Sequence, residues 1–464
     1  MILIANGRLI TRDGANPYIE NGGVAVSGTK IVETGETAAL RAKYPDAEFL
    51  DARGGVIMPA FINAHSHIYS ALARGLAMKG HNPTNFYEVL DGMWWRLDRN
   101  LTLEDTRRSA YTTYIDSINR HLTNEQTRQS ARATYIDSIK NGVTTVFDHH
   151  ASYCEIEGSL FAIEEVAKEL GIRTVLCYEV SERDGKEKCD AAIRENADFI
   201  AHCEKEQHPL VKAMFGMHAL FTISDRTMEQ CVKANGGRTG FHIHVSEGMN
   251  DVYDTLQTYG TRPVNRLLNL GILGEKTLLG HCIHVNPAEM DIIKETNTMV
   301  VNNPESNMGN AVGCSPVLQM FKKGILVGLG TDAYTFDMTE SLKAALAIQR
   351  HNACLPNVGW GEATAMLFEN NAKIAARYFE DPLGVLKPGA AADVIVMDYK
   401  PFTPFSAENI DGHILFGMAG RQCETTMCAG KILMRDRVLT CADEEAVNAR
   451  TLEVSRALWK RLNG

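Results

Sequence analysis

The chain has 464 residues, of which 45% are hydrophobic and 22% charged, an ordinary composition for a folded globular protein. A formal net charge of -10 argues against nucleic acid or an anionic membrane as the main partner. The 11 cysteines include no Cys-x-x-Cys pair, which argues against a zinc ribbon or a disulfide framework and favours free thiols in a reducing cytoplasm.

The N-terminal segment is apolar only as far as Ala5, where Asn6-Gly7 interrupts it. This run is too short for a signal sequence or a membrane span. We therefore expect a cytoplasmic protein with no membrane partner. The length of the chain suits a barrel of about 250 residues or more with an accessory domain.

Short alternating segments separated by turn signals fill residues 1–55 and predict a small antiparallel sheet. The dipeptide Asn6-Gly7 predicts a hairpin between residues 2–5 and 8–11. A second turn is predicted at Ser27-Gly28-Thr29. Residues 384–464 return to β patterns and close with a helix, so we expect the two ends of the chain to form one β-sandwich.

Eight apolar runs alternate with helical patterns between these ends. They are residues 56–63, 143–148, 173–179, 211–218, 240–246, 277–281, 299–303 and 325–331. Eight β/α units predict an α/β protein with a (β/α)8, TIM-like barrel over residues 56–383. A doubly wound sheet is the alternative, but no Gly-x-Gly-x-x-Gly follows an early strand.

An internal repeat lies within the predicted barrel. Residues 101–121 and 122–142 align without gaps, with 13 of 21 positions identical, and predict a duplicated helix over 101–142. One continuous helix would be about 60 Å long, whereas barrel strands are about 20 Å long. We therefore expect one copy to pack on the barrel. The second copy is the better candidate, because it ends in the helix stop Asn141-Gly142 directly before a strand.

Two histidines follow the first apolar run. His65 and His67 are two positions apart, so a strand directs both imidazoles to one side, as a metal ion requires. The fifth run contains a second such pair, His242 and His244. His244 is closer to the strand end, and Glu247 follows three residues later, so we expect His244 to reach the ion.

The eighth run ends at Asp332, which would add an oxygen ligand to three histidines. Such a set leaves a position open for water, as catalytic sites do. The ion would lower the pKa of that water from about 15.7 toward about 7. His281 and His218 end the sixth and fourth runs, where either could orient the hydroxide or polarise a substrate.

Several motifs together resemble the amidohydrolase superfamily. They are Asn63-Ala64-His65-Ser66-His67, Ala73-Arg74-Gly75, His244-x-x-Glu247, His281 and Leu329-Gly330-Thr331-Asp332. The chlorohydrolase/deaminase (ATZ/TRZ) branch is the most similar, and Asp148-His149-His150-Ala151-Ser152 is similar to the SsnA-type aminohydrolases. The resemblance implies a metal-centred (β/α)8 barrel with a β-sandwich built from both termini. Ala333 stands where many relatives have glycine, so the loop after the eighth strand departs from the family pattern.

The resemblance also implies a role for each matched residue. The implied metal ligands are His65, His67, His244 and Asp332; the implied catalytic residues are Glu247, His281 and Asp332; the implied substrate contacts are His218 and Arg74. An ion pair at a helix end is an equal alternative for Arg74. Since Lys212 is at the start of the fourth strand and no lysine is placed to bridge two ions, we expect one divalent metal. Zinc is our first choice, and iron suits the same ligands.

We therefore expect a metal-dependent aminohydrolase in which a metal-bound hydroxide deaminates a small nitrogen heterocycle. Glu247 and Asp332 would move the protons. Hydrolysis of a cyclic amide or displacement of another leaving group is one alternative. A catalytically silent metal-binding scaffold is another, from a different class. The expected partners are a small-molecule substrate and further copies of the chain, in a homodimer or a higher homo-oligomer.

The duplication gives the first testable prediction. Deleting residues 101–121 should preserve metal content and thermal stability, because the second copy supplies the helix that leads into the next strand. Metal analysis and a thermal melt of the purified deletion variant check this. Loss of soluble protein or of the metal would show that both copies belong to the fold.

Overall fold

The computed structural model describes residues 1–75 and 123–463 of the chain. The strands are β1 Ile2–Ile10, β2 Tyr18–Ser27, β3 Lys30–Glu36, β4 Glu48–Asp51, β5 Val56–Pro59, β6 Phe61–Ser66, β7 Val143–His150, β8 Arg173–Tyr178, β9 Val211–Ala213, β10 Phe215–Ala219, β11 Phe241–Val245, β12 Leu278–His281, β13 Met299–Asn302, β14 Val327–Leu329, β15 Val394–Met397, β16 Cys423–Cys428, β17 Lys431–Arg435 and β18 Val438–Leu439.

The α-helices are α1 Thr37–Lys43, α2 Asn124–Lys140, α3 Ser159–Leu170, α4 Lys186–Glu206, α5 Asp225–Asn235, α6 Met249–Tyr259, α7 Pro263–Asn269, α8 Pro287–Glu295, α9 Pro304–Gly309, α10 Val317–Lys322, α11 Met338–Ala353, α12 Trp360–Ala365, α13 Asn371–Ala375, α14 Ile410–His413 and α15 Glu444–Asn463. Within the part of the chain that the structure describes, every helix is too short or too polar to span a bilayer.

Strands from both ends of the chain form one nine-stranded sheet. Its order is β18-β17-β16-β15-β5-β1-β2-β3, and β4 also pairs with β1. Strand β5 joins the two ends, because it lies parallel to β1 and antiparallel to β15. Side chains from both ends, including Leu9, Ile57 and Val394, bury one apolar cluster. The protein therefore has a β-rich domain made from its two termini.

The predicted hairpin at Asn6-Gly7 is wrong. Strand β1 continues through this dipeptide, and its pairing with β2 is irregular on either side of Gly7. Asn6 adopts a left-handed φ of 64°, and a Cβ on Gly7 would lie 2.8 Å from the carbonyl oxygen of Gly55. The dipeptide thus forms a bulge under a crossing chain rather than a turn. The turn predicted at Gly28 does connect β2 to β3, as expected.

The remaining strands form two parallel sheets, β6-β7-β8-β9 and β10-β11-β12-β13-β14. Each of the eight predicted runs contains at least one of these strands. The run 56–63 divides at Pro59, so that β5 joins the β-rich sheet and only β6 joins the parallel one. The chain changes its hydrogen-bond partner at this point. The amide of Ala60 donates to the carbonyl oxygen of Asp393, whereas that of Phe61 donates to the carbonyl oxygen of Gly142.

Backbone pairing continues between the two parallel sheets at both edges. Parallel bridges join Ser66 to Asp332 and Val180 to Met217. At the first of these edges the amides of Thr331 and Asp332 both donate to the carbonyl oxygen of His65, each at 3.0 Å. The C-terminal ends of the parallel strands therefore gather at one end of the domain.

Helix α2 is the second copy of the repeat, and the first copy, residues 101–121, lies outside the described residues. Thr123 and Gln126 form the capping box at its start. Tyr135 is fully buried, and its hydroxyl donates to Thr174 of β8 at 2.9 Å. Gly142 follows the helix with a φ of 75°, which turns the chain into β7.

A buried ion pair links the β-rich domain to the parallel strands. Nη1 of Arg173, on β8, lies 2.5 Å from Oδ2 of Asp393, and both side chains are 4% exposed. Thr144 donates to the same oxygen at 2.8 Å, and the amide of Ala429 donates to Oδ1 at 2.8 Å. The carboxylate thus receives donors from both domains, which compensates the cost of burying it.

Removing this carboxylate gives a second prediction. Asp393→Ala should lower the free energy of unfolding by about 3–5 kcal/mol, because it leaves Arg173 buried without a counter-ion. Urea unfolding followed by circular dichroism measures the change. The control is Arg53→Ala, which removes exposed ion pairs to Glu424 and Asp436 and should cost no more than about 1 kcal/mol. Equal losses in the two variants would contradict the proposed link.

Candidate metal centre and active site

The predicted metal ligands meet where the parallel strands end. One ring nitrogen each of His65, His67 and His244 lies within 4.8 Å of the others, and all three residues are buried. Oδ1 of Asp332 lies 2.8 Å from Nε2 of His67 and 3.6 Å from Nε2 of His65. Asp332 thus lies against two of the three histidines, and a second group of neighbouring ligand atoms joins it to His65 and His281.

Hydrogen bonds behind two of these ligands orient their rings. Nδ1 of His67 donates to the carbonyl oxygen of His149 at 2.6 Å, which leaves Nε2 free to bind an ion. Nδ1 of His65 lies 2.8 Å from Nε2 of His242. His242 therefore holds the ring of His65, a predicted ligand. His244 contributes its own ring nitrogen to the group of three.

The donor set fits a divalent cation. Nε2 of His65 is buried without a hydrogen-bond partner among the described residues, and burial lowers the pKa of this ring to about 3, so it offers a neutral lone pair. Burial also disfavours charge on His67, but the neighbouring carboxylates of Asp332, Glu179 and Asp148 together outweigh it and raise the pKa of His67 to about 9. Carboxylates that favour a positive charge at this point would also favour a bound cation.

Left-handed backbone turns occur at three of these strand ends. Ser246, His281 and Asp332 have φ values of 49°, 66° and 55°. Such values are uncommon outside glycine and are costly unless the surrounding structure supports them. Each of them lies at or just beyond the end of a parallel strand, and Glu247 directly follows Ser246.

Glu247 and His281 lie beside the ligands. Nε2 of His281 is 3.7 Å from Oε2 of Glu247 and 3.8 Å from Oδ2 of Asp332. Burial raises the pKa of Glu247, which favours a carboxyl group that can hold a proton. The structure thus brings the three residues predicted to be catalytic within reach of one small molecule.

A pocket with about 680 Å³ of empty volume opens above this centre. Its walls combine the ionisable side chains with apolar ones, among them Tyr69, Phe221 and Tyr334. His218 is part of the wall, where its Nδ1 lies 3.0 Å from the hydroxyl of Thr222 and burial keeps its pKa well below the usual value. The pocket can therefore hold a planar heterocycle against a neutral imidazole.

Arg74 lies elsewhere. Its guanidinium is 63% exposed and lies 2.7 Å from Oδ2 of Asp137 on α2. Arg74 therefore forms an ion pair, which was the alternative to a contact with the substrate. It is not among the residues that line the pocket. Its role in substrate binding stays a prediction.

Glu179 is a pocket residue that sequence reasoning missed. Its carboxylate is 1% exposed and lies 3.1 Å from Nη2 of Arg183 and 3.4 Å from Nδ1 of His149. Burial alone would raise its pKa, but the neighbouring His218, His149 and Arg183 lower it to about 2. Its position at the end of the third predicted strand was the signal that could have identified it.

The segment after β13 was also missed. Ser306, Asn307 and Asn310 each make a hydrogen bond to one of the predicted catalytic residues. The available signal was the pair of polar residues Asn302-Asn303 at the end of the seventh predicted strand.

Comparison with known proteins agrees with this geometry. The model of the amidohydrolase family matches residues 56–433, and that of the bacterial imidazolonepropionase-like composite domain matches residues 22–47. A 5'-deoxyadenosine deaminase from Methanobrevibacter smithii is 31% identical over 436 residues, which cover 91% of this chain and 92% of the relative.

Two solved structures have a similar fold. A zinc-bound adenosine deaminase from Xanthomonas campestris superposes with a TM-score of 0.83 at 20% identity, covering 99% of this chain and 98% of that one. The atrazine chlorohydrolase TrzN from Arthrobacter aurescens, in complex with zinc, has a TM-score of 0.76 at 22% identity. The superposition covers 98% of this chain and 100% of the chlorohydrolase chain. Enzymes that remove different leaving groups therefore share this fold.

The ligand geometry gives a third prediction. The purified protein should bind one divalent metal per chain, and His244→Ala should weaken binding by more than the roughly 10–100-fold that loss of an outer-shell partner costs. Metal analysis after dialysis against a chelator measures this. The control is His284→Ala, since Nε2 of His284 donates to the carbonyl oxygen of Val312 outside the ligand set. Two metals per chain, or full metal content in His244→Ala, would contradict the single site.

Proposed function

This chain belongs to the amidohydrolase family, and from that premise we propose that it deaminates the purine ring of an adenosine-class nucleoside. The enzyme is a hydrolase of carbon–nitrogen bonds in nitrogen heterocycles, as its deaminase relative indicates. One observation supports this proposal most directly. Glu247, His281 and Asp332 lie next to one another, beside the group of three histidines, His65, His67 and His244.

We also propose that the two parallel sheets form one closed (β/α)8 barrel and that the nine-stranded sheet folds into a β-sandwich. Backbone pairing at both edges between the parallel sheets supports the closed barrel. The apolar cluster shared by both ends of the chain supports the sandwich. The domain limits 1–55, 56–383 and 384–464 stay our proposal, as do a cytoplasmic location and a homo-oligomer.

The proposed ligands are His65, His67, His244 and Asp332. A divalent cation at this site, zinc in preference to iron, would lower the pKa of a water molecule toward about 7 and so supply the nucleophile. The unpartnered Nε2 of His65 and the 2.8 Å contact between Nε2 of His67 and Oδ1 of Asp332 support this assignment.

Glu247 is the proposed proton shuttle. It takes a proton from the attacking water and delivers it to the ring nitrogen next to the amino-bearing carbon. Loss of aromaticity in the ring is the main barrier, and protonating that nitrogen lowers it. A carboxyl group whose pKa is raised by burial is suited to hold this proton at neutral pH.

His281 and Asp332 complete the proton transfers. Nε2 of His281 faces the space between the two carboxylates, so it can orient the water that attacks the ring. Asp332 accepts the second proton of the water and returns it to the amino group, which leaves as ammonia. One water is consumed, and an oxo group replaces the amino group.

The pocket walls offer contacts for both parts of a nucleoside. Aromatic side chains such as Phe221 and Tyr334 can pack against a base, and ionisable side chains lie beside them. Glu179 adds a buried carboxylate that can accept hydrogen bonds from ring N–H or hydroxyl groups. The complete ligand set and the presence of Glu247 disfavour a catalytically silent scaffold.

Ammonia release tests this function. We expect 5'-substituted adenosines to be deaminated faster than guanine or an aminotriazine. A cyclic amide releases no ammonia when its ring opens, so its hydrolysis is followed by chromatography and should be slower. Glu247→Gln should retain the metal and lose about 10²–10⁴-fold in turnover, because an amide cannot carry the proton. The control is Glu165→Gln, whose exposed carboxylate pairs with Arg128 away from the pocket. Unchanged turnover in Glu247→Gln would remove it from the mechanism, and faster hydrolysis of a cyclic amide would favour the alternative.

A further inference from the structure

We propose that one short segment, residues 304–310, positions all three residues that handle protons. The segment consists of α9, Pro304–Gly309, and the following Asn310. It follows β13 at the same end of the domain as the metal ligands. This inference rests on the proposed function, because it assigns the segment a role in that reaction.

The first contact orients the carboxylate of Asp332. Oγ of Ser306, which is fully buried, donates to Oδ2 of Asp332 at 2.5 Å. With Oδ2 engaged, Oδ1 is the oxygen that faces His67 at 2.8 Å. Ser306 therefore decides which carboxylate oxygen the ion would meet, and the second lone pair of Oδ2 remains available to accept a proton.

The second contact selects the tautomer of His281. Nδ2 of Asn307 donates to Oδ1 of Asn302 at 3.3 Å, so Oδ1 of Asn307 is the atom that faces Nδ1 of His281, at 2.8 Å. Neutral His281 must then carry its hydrogen on Nδ1. Its Nε2 has a free lone pair directed at the reacting water.

The third contact holds Glu247. Nδ2 of Asn310 lies 3.5 Å from Oε1 of Glu247 and 3.3 Å from Oγ of Ser306. Oδ1 of Asn310 accepts from the hydroxyl of Tyr334 at 3.2 Å, and Tyr334 lines the pocket. The segment thus connects the proton shuttle, the Asp332 contact and the substrate pocket.

Backbone and packing contacts hold the segment in place. The amide of Asn307 donates to Asn303 at 2.9 Å and that of Asn310 to Ser306 at 2.8 Å. A Cβ on Gly309 would collide with the ring of Tyr334, so glycine is required for this ring to lie against the helix. The polar side chains are therefore presented from a supported turn.

The test separates positioning from simple structural support. Ser306→Ala should weaken metal binding by about 10–100-fold in competition with a chelator. Asn307→Leu should keep the metal and lower kcat by about 10–100-fold, with KM changed by less than about threefold. Asn307→Asp should recover most of kcat, because it keeps the oxygen that accepts from His281.

The matched control is Met308→Ala, on the same helix and 42% exposed, which should match the parent protein in both assays. The proposal is overturned if Ser306→Ala binds metal as tightly as Met308→Ala, or if Asn307→Asp is as slow as Asn307→Leu. The metal assay needs no substrate. A parent protein that releases no ammonia from adenosines would therefore refute the proposed function, while Ser306→Ala would still decide this inference.

Discussion

The site depends on the hydrogen bonds that the carbonyl oxygen of His65 accepts. This oxygen accepts the amides of Thr331 and Asp332, and Asn63 adds a side-chain bond to Thr331 at 2.7 Å. These bonds join the first and last parallel strands, so ligands from opposite ends of the chain meet. The entropy cost of closing so long a loop grows only slowly with its length. A few buried backbone bonds can therefore hold the ends together.

The sequence could predict that the proposed metal ligands lie together because their positions follow from strand periodicity. His65 and His67 share a strand face, and parallel strands place their C-terminal ends together, so residues far apart in sequence converge. Asn6-Gly7 was misread because local turn chemistry was judged without the crossing chain at Gly55. The division of the run at Pro59 depends on partners in β15, which no local pattern reveals.

The supporting residues were harder to predict for a physical reason. Polar side chains after a strand are common, and only the tertiary arrangement decides whether one faces solvent or a catalytic group. Glu179 and Asn307 have ordinary neighbours in sequence, and their partners His149 and His281 lie on other strands. Conversely, Arg74 is adjacent to a recognisable motif, yet its guanidinium pairs with Asp137 on the surface.

The position of β5 between β1 and β15 has a consequence during protein synthesis. The N-terminal half of the β-rich sheet leaves the ribosome early, but β15 is made only after every parallel strand has been translated. At about 5–20 residues per second, the interval from Pro59 to Met397 lasts roughly 20–70 s. During that time β5 has an unpaired edge and Ile57 lacks its C-terminal neighbours. The edge of β5 and the side chain of Ile57 therefore remain uncovered until translation of the chain is nearly complete.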